Sequence, residues 1–70
     1  MSTPTVRAIE AATRAHPFAE LIVHRSAGRA ELHLDGDYIA AGIEPFVSWP
    51  LTDAEAEDLV TRGFADHVIA

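Results

Sequence analysis

Four histidines, His16, His24, His33 and His67, are the side chains of this sequence best suited to move a proton or hold a metal ion. If 18–25 and 29–34 pair as a hairpin, His24 and His33 share one sheet face at about 7–8 Å between backbones, with Glu31 directly across from His24. A zinc or proton-transfer site of His24, His33 and Glu31 would follow. The spacing argues against it, because there is no His-Glu-x-x-His pair and no cysteine, and antiparallel strands commonly carry imidazoles on a wetted face. His16 precedes a proline, where it can cap carbonyls, and His67 lies in a terminal segment. Nucleophilic chemistry fares no better. Ser26 falls in a turn, Ser48 stands beside Trp49, and no base is placed to activate either one. Gly28, Gly36, Gly42 and Gly63 are spread along the chain, so no phosphate-cradling loop forms. The expectation is a protein without catalytic residues, metal or cofactor.

Charge says more than these side chains do. Eleven acidic and five basic residues give a net charge of -6, every basic residue being arginine. In residues 1–30, Arg7, Arg14, Arg25 and Arg29 outnumber Glu10 and Glu20 and leave +2; in residues 31–70, Arg62 alone meets nine carboxylates and leaves -8. Direct binding of nucleic acid is disfavoured, and a basic partner is favoured.

The elements that must position these groups can be read in turn. Seventy residues, 49% of them hydrophobic, suffice for one small α+β domain over 1–70. Such a domain is expected to be cytoplasmic and either a monomer or a weak homodimer. The N-terminus lacks the pattern of a secretory leader, and no apolar run approaches the ~20 residues that cross a bilayer. Thr3 and Pro4 start a helix as N-cap and first position, and Pro17 ends it near Ala15. Phe18–Arg25 and Arg29–Leu34 follow as strands joined by Ser26, Ala27 and Gly28. Pairing Val23 with Leu32 and Leu21 with Leu34 puts Leu21, Val23, Ala30, Leu32 and Leu34 on one face, whereas a one-residue slip would bury Glu31. Asp35-Gly36 signals a second hairpin. It leads to a third strand over 37–43, with Ile39 opposite Leu32. Phe46–Trp49 is a short extended piece between prolines. Thr52-Asp53-Ala54-Glu55 has the form of a capping box, and Gly63 closes that second helix. Phe64–Ile69 can add a last edge strand or dock as an extension. The expected architecture is an N-terminal helix, a three-stranded antiparallel meander, a C-terminal helix and a short final strand, with both helices on one face of the sheet.

Among the aromatics, Phe46 and Phe64 are expected in the core, and Trp49 and Tyr38 can serve either as core or as interface anchors. The candidate contact residues for a partner are Asp35, Asp37, Glu44, Asp53, Glu55, Glu57 and Asp58, together with Trp49. A helix dipole accounts for Asp53 and Glu55 in a first turn. It accounts less well for the rest, and a row of carboxylates can imitate the phosphates of DNA.

In size and charge the chain resembles small acidic phage-encoded inhibitors of the anti-CRISPR type that act as DNA mimics. That resemblance implies a non-enzymatic inhibitor that occupies the basic DNA-recognition surface of a nucleic-acid-binding protein, such as a CRISPR effector subunit. The alternative is a small interaction or regulatory module, a homodimer or toxin-antitoxin component, that binds through an apolar and aromatic surface. Reversing Glu57 and Asp58 to lysine is expected to abolish binding on the acidic reading and to leave folding nearly intact.

Overall fold

The computed structural model describes residues 3–34 and 44–70. The architecture is α+β, with α1 at Pro4–Ala15, β1 at Glu20–His24, β2 at Arg29–His33, β3 at Val47–Pro50, α2 at Asp53–Thr61 and β4 at His67–Ile69. Both helix starts follow from their caps. The Thr3 hydroxyl accepts the Val6 N–H at 3.2 Å ahead of Pro4, and the Thr52 hydroxyl accepts the Glu55 N–H while the Glu55 carboxylate accepts the Thr52 N–H. Thr3 also donates its hydroxyl proton to Glu55, which links the N-termini of the two helices. Those bonds hold the Glu55 carboxyl below its ordinary pKa, the contact with Thr3 contributing most.

The strands run in the order β3-β2-β1-β4. Leu21 pairs with Leu32 and Val23 with Ala30, a register two residues away from the expected one. The faces survive, because an even shift preserves the alternation of side chains. The cause lies at the turn. Gly28 N–H closes it onto Arg25 C=O at 3.3 Å, and Arg25 gives its own N–H to Ile69 C=O at 2.8 Å instead of facing Ala30.

A second correction concerns the other side of β2. Leu32 is opposite Val47 and Ala30 opposite Trp49, so the place expected for Ile39 is held by β3. The strand expected over 37–43 lies outside the described residues. Pro50, which has no N–H to donate, is tolerated because β3 is at the edge of the sheet formed by the described residues. The final strand forms and runs parallel to β1. Asp66 leads it in by accepting the Leu21 N–H on its carboxylate and donating its own N–H to Leu21 C=O, each at 2.8 Å.

Leu21, Val23, Ala30 and Leu32 meet Val6 and Ile9 of α1, Ala56 and Leu59 of α2, and Leu51 in a single buried cluster. Both helices therefore cover one face of the sheet, as expected. The other face carries Glu20, Ile22, His24, Arg29, Glu31 and His33. Leu34 leaves the ladder at a bend and is exposed.

Gly28 has φ +65°, a conformation only glycine adopts without cost. A methyl group there would make ordinary contact with Leu51 C=O at 3.4 Å, so the penalty of Gly28→Ala is conformational. It should be about 1–2 kcal/mol, read as a lower thermal midpoint with the fold retained.

Candidate functional site

The nominated acidic residues do not form one free surface. Asp35 and Asp37 lie outside the described residues. Glu55 is engaged in the two helix caps, as its bonds to Thr52 and Thr3 require. Glu57 accepts from Arg25 at 2.7 Å, and Asp58 accepts from Arg62 at 3.0 Å. Arg62 also reaches Glu10 on α1 and lies over the Phe64 ring, 5.0 Å from its centroid. Its guanidinium pKa is raised, chiefly by the bond to Glu10. Glu44 and Asp53 are exposed and enter no ion pair with a described residue.

The pairings change what charge reversal should do. In the double substitution Glu57→Lys and Asp58→Lys, each lysine would face an arginine where a carboxylate stood. The expectation of nearly intact folding is therefore revised to a loss of about 1 kcal/mol, to be checked by urea denaturation beside the single variants.

Trp49 is half-buried and packs against the core, since pairing with Ala30 turns its side chain toward the helices. Phe64 also packs there. Phe46, expected in the core, is instead 57% exposed. It precedes β3 at a bend, its N–H bonded to Leu32 C=O at 2.8 Å, and its ring meets the His16 ring edge-on at 5.1 Å.

On the sheet face away from the helices, the shifted register sets Glu31 opposite Ile22 and leaves His24 and His33 on either side of it along the strands. Arg29 donates to one carboxylate oxygen at 2.7 Å, while His33 and His24 approach the other at 3.1 and 3.3 Å. Burial pushes the Glu31 pKa up, but the bonds from His33, Arg29 and His24 together outweigh it and hold the carboxyl below 4.5. Alongside, His67 pairs with Glu20 at 3.0 Å. Both oxygens of Glu31 are thus engaged inside the sheet face. No group of three His, Asp or Glu among the described residues is arranged to hold a metal ion.

A different surface emerges where α1 hands over to β1. Pro17 stops the helix, and the two-residue turn it begins projects Phe18 into solvent at 92% exposure. Ala15, His16, Pro17, Phe18, Ala19 and Leu34 line a groove of about 360 Å³, and Phe46 adjoins it through His16. Among the described residues of its wall, only His16 carries a polar group, its imidazole. The signal for this surface in the sequence is Pro17, which stops α1 and puts Phe18 in the turn before β1.

Comparison with protein-family models, curated proteins and solved structures finds no match to this chain. Among the described residues, no helix is long and apolar enough to cross a membrane.

Proposed function

We propose that this chain is a small non-enzymatic interaction domain that binds another protein through the apolar surface around Phe18. The observation that carries this reading is the near-complete exposure of Phe18, which shares a groove with Leu34 and with the His16 ring that exposed Phe46 meets, in a domain that fully buries Ile9, Leu21, Leu32 and Leu59. Contiguous exposed apolar surface on a small domain marks a site of association, and projecting aromatic side chains are frequent energetic anchors. A small-molecule substrate would need several convergent polar groups to orient it. Among its described lining residues the groove offers one imidazole, which suits an apolar side chain of a protein partner better.

Phe18→Asp should change stability by no more than about 0.5 kcal/mol, because the side chain is exposed. Affinity for a partner isolated with the wild-type protein should fall on the order of a hundredfold, the scale of an interface anchor. Equal affinity of both proteins would refute the reading.

A second reading makes the acidic surface the contact and the protein an inhibitor of a nucleic-acid-binding partner, of the anti-CRISPR DNA-mimic kind. It is supported by the net charge of -6 and by Glu44 and Asp53, exposed and without an ion pair to a described residue. It has less support than the Phe18 surface, because Glu55, Glu57 and Asp58 are engaged within the chain. Asp53→Lys combined with Glu44→Lys should abolish binding on this reading and be harmless on the first.

A further inference from the structure

The partner's chemistry can be narrowed from the arginines, and this step rests on the Phe18 surface being the contact. Three of the five are satisfied internally: Arg25 by Glu57, Arg29 by Glu31, and Arg62 by Glu10 and Asp58. Arg7 and Arg14 are exposed and have no hydrogen bond or ion pair among the described residues. They stand seven positions apart on α1, two helical turns and about 10 Å along its axis, and so project from the same side. Arg14 immediately precedes Ala15, the first residue lining the groove. Glu10, the acidic residue of α1, is held by Arg62. In a chain of net charge -6, the positive charge left uncompensated thus lies on the helix that leads into its apolar groove.

We infer that the segment docked at this groove is an acidic stretch of a partner protein, with an apolar side chain seated against Phe18 and Leu34 and carboxylates directed along α1 to Arg14 and Arg7. At physiological ionic strength, exposed charges more than about 8 Å apart are largely screened, so Arg14, next to the groove wall, contributes more of the attraction than Arg7, about 10 Å further along α1. A nucleic-acid strand offers the negative charge but no aliphatic side chain for the groove, and lysine-rich segments meet like charge.

The test uses the whole chain and four fluorescent probes: a synthetic peptide of glutamates around a Leu-Trp pair, the same peptide with lysine for glutamate, the glutamate peptide with serine in place of Leu-Trp, and a single-stranded DNA oligomer. The wild-type protein should bind the first probe and none of the others by anisotropy. R7E combined with R14E should weaken the first probe by about tenfold or more and acquire affinity for the lysine peptide, an exchange that loss of fold could not produce. If the lysine peptide or the DNA binds the wild-type protein as well as the first probe does, or if R7E with R14E leaves the first probe's affinity unchanged, the acidic partner is excluded. In that event, binding that still disappears in F18D preserves the apolar reading, whereas binding indifferent to F18D, or no peptide binding at all, removes both.

Discussion

Leu59→Ala is expected to cost about 2–5 kcal/mol, the range for emptying a fully packed leucine site. Leu59 has no exposed surface and lies in the cluster where α2 meets Leu21, Val23 and Leu32. The penalty is large against the whole, since a domain of this size has a core that rarely supplies more than about 3–5 kcal/mol. Alanine at position 59 should therefore leave much of the population unfolded at room temperature, seen as loss of far-ultraviolet ellipticity and of a cooperative urea transition. Val60→Ala, one residue on and only partly buried, should lose far less. Wild-type urea midpoints in the Leu59 variant would show that α2 does not close the core.

Glu31→Gln carries the second large effect. Glutamine keeps the length of the side chain but cannot offer a charged acceptor to Arg29, His24 and His33. Hydrogen bonds to an ionised group are worth about 1.5–3 kcal/mol, and the Glu31 side chain is only 14% exposed, so a loss of that size is expected at neutral pH. The direction with pH follows from the lowered carboxyl pKa. The unfolded chain takes up the Glu31 proton near 4.5 and the folded chain only at lower pH, so the carboxylate's contribution is complete above about 4.5 and fades as pH falls through the folded value. Wild-type and variant stability curves should converge in acid and separate toward neutral pH. A constant gap down to the lowest pH would show that the carboxylate charge contributes nothing.

Much of the fold is legible in local sequence chemistry. Thr3-Pro4 and Thr52-Asp53-Ala54-Glu55 mark both helix starts because caps satisfy backbone groups within a few residues. The assignment of Leu21, Val23, Ala30 and Leu32 to the core face follows from alternation alone. Register does not, since alternation is blind to an even shift and the Arg25–Gly28 turn decided it. The strand beside β2 was also out of reach of local pattern. Val47–Pro50, bounded by prolines, is a poor strand by propensity, yet tertiary pairing places it against Leu32 and Ala30.

The candidate site was legible only in part. Carboxylates can be counted along a chain, but Arg25 reaches Glu57 across 32 positions and Arg62 reaches Glu10 across 52, and such pairings exist only once the elements pack. Phe18 is the converse case. Hydrophobicity places it inside, and its exposure follows from the turn that Pro17 begins between α1 and β1.

The most direct measurement of the central claim places a benzophenone side chain at position 18 in one version of the protein and at position 53 in another, followed by irradiation in cells that naturally contain it. Cross-linking of a discrete protein partner from position 18 and not from position 53 is the predicted result. A partner captured from position 53 while position 18 stays unlinked would contradict the account and return the contact to the acidic helix.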